Sequence, residues 1–165
     1  MTPPDSIDGL VTNSSRITLR EMTPENFESV LRLKVAVDQQ DFIATNEWSI
    51  AEAHFSDQAW YRAIYADETP VGFVMLADET VGCRENPLCC ALWRFMIDAR
   101  YQRMGFGSRG LALVVEHVRS HPEATMLLTS YIPGNRAAGD FYLKFGFRRI
   151  PGESASGEIE LAYDL

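Results

Sequence analysis

Long apolar runs are missing from this 165-residue chain. None approaches the ~18 residues that a membrane-spanning helix needs, so no membrane partner is expected. Cysteine is scarce: Cys83, Cys89 and Cys90 are odd in number and two are adjacent, which does not suit a disulfide framework. Their spacing fits no zinc pattern, so they read as small apolar residues and no metal is expected. Histidine is equally sparse. His54 and His117 read as helix-face residues and His121 as the end of a helix, with no catalytic or metal role. Positive charge is in deficit, with 15 Lys and Arg against 23 Asp and Glu, a net charge of −8. That argues against nucleic acid, whose phosphates would be repelled. An acidic surface either draws in a cationic small substrate or only maintains solubility. The first residues lack the basic start and apolar core of a signal peptide, so a cytoplasmic location is the expectation.

What is present suits one domain with a sizeable core: 46% apolar and 23% charged residues. Residues 1–15 are polar and Pro-rich and read as a flexible tail, leaving 16–165 as the single domain. The segment 17–21 alternates and predicts a strand. Thr23-Pro24 predicts a helix start, and Phe27, Val30, Leu31 and Val35 extend it over about 24–37. Ser49-Ile-Ala-Glu52 is a capping box that would open a second helix. Residues 63–65 and 71–76 flank a turn and predict a hairpin. Cys89 to Ile97 predicts a central strand. A helix over about 105–120 would bury Leu111, Val114, Val115 and Val118. Then come a strand over 126–132, a short helix capped by Asn135 and stopped by Gly146, and a last hairpin pairing 147–150 with 158–163. The order predicts an α/β (α+β) fold with one largely antiparallel sheet.

The most telling segment joins the central strand to the long helix. Gly105-Phe-Gly107-Ser-Arg-Gly110 matches the dinucleotide fingerprint G-x-G-x-x-G, but its context does not. The polar run Arg100 to Met104 separates strand from glycines, and Ser130 and Tyr131 stand where an acidic residue would hold a ribose. No Gly-Lys-Ser/Thr completes a P-loop. The pattern that fits is Gln102-x-x-Gly105-x-Gly107. Glycines at a helix start let a diphosphate approach unpaired backbone N–H groups.

With Asn135-Arg-Ala-Ala138 and Phe141-Tyr142-Leu-Lys-Phe145-Gly146-Phe147 downstream, the chain from about Arg16 to Leu165 resembles the GNAT N-acetyltransferase superfamily. Residues 49–53, 70–75, 93–98 and 157–160 resemble its bacterial spermine/spermidine (diamine) acetyltransferase branch. The resemblance implies the GNAT fold and acetyl transfer from acetyl-CoA to a primary amine, a polyamine first, by direct attack in a ternary complex. An amino acid, an aminoglycoside, a protein N-terminus or a non-catalytic acetyl-CoA-binding role are alternatives. Two adjacent protomers are common in this superfamily, so a homodimer is implied as well.

By the same resemblance the cosubstrate would be held by Phe95, Met96 and Ile97 on a splayed central strand. Gln102, Arg103, Met104, Gly105, Phe106, Gly107 and Ser108 would form the diphosphate turn, with Asn135, Ala138, Phe141 and Lys144 contributing from the next helix. Arg103 or Arg109 would add charge, or stand on a solvated helix face. Tyr142 matches the superfamily's tyrosine general acid for the leaving thiolate. An alkyl ammonium of pKa ~10 is only about 0.1% neutral near pH 7, a cost of roughly 4 kcal/mol. Where several relatives carry a glutamate, this chain has Ala91, Leu92, Trp93 and Arg94. Glu47 is therefore the candidate for contacting a cationic amine and assisting its deprotonation, ahead of Glu21, Asp38, Asp41 and Glu160. Arg94 either pairs with a carboxylate as a structural group or binds an acidic acceptor. Strand alternation would put Trp93 on the opposite face, as a channel wall or as core.

Overall fold

A computed structural model describes residues 10–77, 89–152 and 154–165. Residues 1–9 and Cys83 lie outside them. Seven strands form one sheet in the order β1-β2-β3-β4-β5-β7-β6. They are β1 (Ile17–Arg20), β2 (Ala59–Ala66), β3 (Thr69–Ala77), β4 (Cys89–Ile97), β5 (Met126–Tyr131), β6 (Arg148–Arg149) and β7 (Ile159–Asp164). Every pairing is antiparallel except β4 with β5. Helices α1 (Phe27–Leu31) and α2 (Asn46–His54) pack on one face, where Val30, Leu33 and Ala53 meet Tyr65, Phe73, Met75 and Met96. Helices α3 (Phe106–Arg119) and α4 (Arg136–Phe145) pack on the other.

The local causes are plain in the second half. Leu111, Val114, Val115 and Val118 are buried on one face of α3, each such side chain contributing about 1.5–3 kcal/mol. The Asn135 side chain accepts from Ala138 N at 3.2 Å, and Gly146 ends α4 with φ 124°. Gly139 has no room for a side chain, since a Cβ would lie 2.8 Å from the Tyr131 ring. The β2–β3 hairpin turns tightly at Asp67, whose φ is 52°.

The first half departs from expectation in three places. Instead of a helix over 24–37, α1 covers only Phe27–Leu31. Thr23 begins a turn, its carbonyl accepting from Asn26 N and Phe27 N. Beyond Leu33, tertiary bonds replace the helical ladder: Lys34 N donates to Asp98 Oδ2 at 2.9 Å, and Ala99 N to Lys34 O at 2.9 Å. α2 starts ahead of Ser49, because Thr45 accepts from Trp48 N and buried Asn46 donates to Val30 O at 2.9 Å. Ser49 donates back to Thr45 O instead. Finally, the folded body begins before Arg16. Ser15 is buried, and Arg109 donates to the carbonyls of Ser15 and Asn13, each at 2.8 Å.

Candidate active site

The cleft arises where β4 and β5 part. They pair only through Cys89–Ala91 and Met126–Leu128, after which β5 continues alongside β7 alone. The groove between them, about 1380 Å³, is walled by residues 91–97 and 128–132. Its floor is held by Thr129, which donates to Leu92 O at 3.2 Å.

One end of the cleft is a turn made of backbone. Arg103 and Gly105 both adopt positive φ, 63° and 77°. Such left-handed residues ahead of a helix turn successive N–H groups toward one point, a concavity suited to an anion. Gly107 lets α3 approach α4: a Cβ there would lie 3.2 Å from Phe141. These features fit a diphosphate. Arg103 and Ser108 are exposed and line the cleft, as do Gln102, Gly105, Gly107, Asn135, Ala138 and Phe141. Phe106 is buried in the core, Met104 packs against that core, and Lys144 is exposed on α4, so these three side chains lie outside the lining. Arg109 is a clamp rather than a free charge. Besides Ser15 and Asn13 it reaches the carbonyls of Met104 and Gly105, and it covers the Phe106 ring. Both amide hydrogens of Gln102 are in use, on Gln39 Oε1 (2.8 Å) and Ile97 O (3.0 Å), leaving its backbone to the turn.

Tyr142 sits deep in the cleft wall, 7% exposed, and packs against Phe141 and Phe147. Burial pushes its phenol up to about 12, against the opposing pull of a hydrogen bond with Thr129. It is therefore neutral throughout the physiological range.

The opposite wall is made of side chains. A bulge between Met75 and Leu76 pairs Met75 with Arg94 and Leu76 with Leu92, leaving Trp93 without a partner. The extra residue breaks the alternation, so Trp93 and Arg94 lie on the same face, toward α1 and α2. Trp93 packs with the Met96 cluster, and Arg94 donates to Glu52 of α2 at 2.7 Å and to Trp93 O at 2.9 Å. The guanidinium also lies 5.4 Å from the Trp93 ring centre. Glu52 thus cancels the one cation on the central strand, and nothing in the sequence beyond the α2 helical pattern pointed to it.

Glu47 is exposed on the first turn of α2 and does not line the cleft. Asp38 is also outside, and Glu21 pairs with Arg62 at 3.3 Å on a separate groove. The carboxylates that do line the cleft are Asp41, Glu158 and Glu160. None has a cationic side-chain partner among the described residues. The Ser130 hydroxyl donates to the Glu158 carboxylate, and Ser154 Oγ holds its backbone N–H and carbonyl at 2.8 and 2.9 Å. Glu158 escaped sequence reasoning because its place depends on the β5–β7 pairing.

Comparison with known proteins agrees with this geometry. Residues 19–147 match the Acetyltransferase (GNAT) family. A spermine/spermidine N(1)-acetyltransferase of Bacillus subtilis (strain 168) is 27% identical over 155 residues, covering 90% of this chain and 99% of the relative. Among solved structures, the aminoglycoside acetyltransferase AAC(6')-Ib with ribostamycin and coenzyme A superposes with a TM-score of 0.73 at 17% identity, covering 90% of this chain and 93% of that one. The ribosomal-protein-S18-alanine N-acetyltransferase of Escherichia coli gives 0.64 at 14% identity, covering 90% and 94%. The last two share the fold. Splayed strands, glycine turn and family match lead to one conclusion: the chain belongs to the acetyltransferase (GNAT) family and is an acetyl-CoA-dependent N-acetyltransferase.

Proposed function

We propose that the protein moves the acetyl group of acetyl-CoA to a primary amine of a polyamine such as spermidine or spermine. The observation that carries this is the charge of the acceptor wall. Among the described residues, Asp41, Glu158 and Glu160 line the cleft without cationic partners, while Glu52 neutralises Arg94. A chain with several ammonium groups fits such a wall, and an anionic acceptor does not. The similarity to the Bacillus relative supports the same class.

In this reading the N–H groups of 103–108 hold the cosubstrate's diphosphate, with Arg103 adding charge. Those backbone groups of Phe95, Met96 and Ile97 that face the edge β5 leaves, except the Ile97 carbonyl that Gln102 occupies, hold its arm and polarise the thioester carbonyl. The thioester supplies an activated acetyl group. An ammonium group of the substrate first loses one proton to solvent; the neutral amine nitrogen then bonds to the acyl carbon as the carbon–sulfur bond breaks, and Tyr142 gives its proton to the departing sulfur. The amine's surplus proton leaves through the water of the acidic cleft, and Tyr142 is reprotonated from the same water.

Mass spectrometry of an amine panel with acetyl-CoA tests the proposal. The panel holds spermidine, spermine, a diamine, an amino acid, an aminoglycoside and a peptide with a free N-terminus. Singly or doubly acetylated polyamine is the expected product. Acetylation confined to the amino acid or the peptide would replace the polyamine reading.

A further inference from the structure

The 3-10 turn Val37–Phe42 crosses the cleft like a strap, and its attachments lie on the cosubstrate side. Gln39 and Gln102 join their side-chain amides reciprocally, Gln102 Nε2 to Gln39 Oε1 at 2.8 Å and Gln39 Nε2 to Gln102 Oε1 at 3.4 Å. At the strap's other end, the Phe42 ring lies beside the loop that leads into α4: a Cβ on Gly134 would be 3.9 Å from it. Just ahead of the strap, Lys34 is tied to Asp98 and Ala99. Among the described residues, Gln39 is the strap's only side chain hydrogen-bonded outside residues 35–42.

Gln102 is extended, with φ −67° and ψ 158°, and the left-handed Arg103 follows it directly. Its side chain therefore fixes where the diphosphate turn begins. The strap also carries Asp41, one of the carboxylates that line the cleft and that the polyamine reading assigns to the acceptor. A single amide pair thus touches both binding regions, and any free energy that shifts one bears on the other.

We infer that Gln39 is a positioning residue for the diphosphate turn, acting through Gln102, and that the pair couples acetyl-CoA binding to the acceptor wall. The inference rests on the acetyl-CoA reading above and not on the identity of the amine.

A double-mutant cycle on acetyl-CoA affinity tests it. Gln39→Leu should weaken acetyl-CoA binding about 5-fold in the otherwise unchanged chain, yet less than about 2-fold in a Gln102→Leu chain. It should raise KM for both substrates while kcat at saturation stays within about 2-fold, because Tyr142 and Thr129 lie outside the strap. Hydrogen exchange supplies a second readout. Acetyl-CoA should slow exchange at 37–42 and at 103–108 in the unchanged chain, and only at 103–108 in the Gln102→Leu chain. Equal losses in both backgrounds, or protection of 37–42 that survives Gln102→Leu, would overturn the inference alone. An unchanged chain that does not bind acetyl-CoA would overturn the cosubstrate reading and this inference with it.

Discussion

The cosubstrate end of the cleft and its acceptor wall are made of different material. On the proposed reading, the groups that bind around 102–108 are backbone N–H groups, aimed by two left-handed residues and a helix start. Across the cleft they would be side chains drawn from three separate places, the strap, the bulge in β4, and the chain at and just before β7, with Glu52 of α2 behind them. A backbone site tolerates changes of side chain but not of conformation. A side-chain site does the reverse, and single substitutions can redirect it. The contrast suits an enzyme family that keeps one donor and varies its acceptor.

Tyr142 stands between the two regions, and removing its hydroxyl carries the largest expected effect. Tyr142→Phe should lower kcat by about 10²–10⁴ with acetyl-CoA affinity within about 2-fold. Steady-state kinetics and equilibrium binding read both, and undiminished turnover would remove Tyr142 from its role. Because its phenol is pushed up to about 12, ionisation of Tyr142 should not limit turnover below about pH 10. The same shift favours the folded state fully below the unfolded phenol value near 10, and this contribution is lost as pH rises from there toward 12.

A backbone change should break one side of the comparison. Gly105→Ala places a Cβ at φ 77°, costing about 1–2 kcal/mol although no atom lies within 4 Å. It should weaken acetyl-CoA binding by much more than it raises the KM for amine, which it reaches only through the Gln39–Gln102 pair. On the other side, Glu52→Gln leaves Arg94 partly buried and uncompensated. It should raise the spermidine KM about 10-fold and lower thermal stability, with little change in acetyl-CoA affinity. A smaller effect is expected at the seam between them. Burial alone would raise the Asp98 carboxyl, but the Arg100 guanidinium and the N–H groups of Lys34 and Arg100 outweigh it and hold the carboxyl below its ordinary range. Its stabilising contribution is present above about pH 4 and is lost as pH falls through the lowered value. Asp98→Asn should therefore melt lower at neutral pH and converge with the unchanged chain in acid.

The same division explains what could be read from the sequence. Gly105, Gly107, Asn135 and Gly146 have local conformational reasons to be what they are, and a local pattern reveals them. The apolar face of α3 and the run Cys89–Ile97 likewise encode their own elements. The acceptor wall has no local code. α1 is cut short by bonds to Asp98 and Ala99, residues far along the chain. The bulge that turns Trp93 and Arg94 to one face arises from pairing with β3, so alternation misplaced them. Glu47 has the right chemistry but lies outside the cleft lining, while Glu158 gains its place only when β7 pairs with β5.

The most direct test of this separation is a triple variant, Asp41→Asn, Glu158→Gln and Glu160→Gln, assayed with spermidine and acetyl-CoA. Each such charge pair contributes up to about 1 kcal/mol, so together their loss should raise the spermidine KM by about 10-fold, and at most about 100-fold. The acetyl-CoA dissociation constant measured without amine should stay within about 2-fold. An unchanged spermidine KM, or parallel losses for both substrates, would contradict the account.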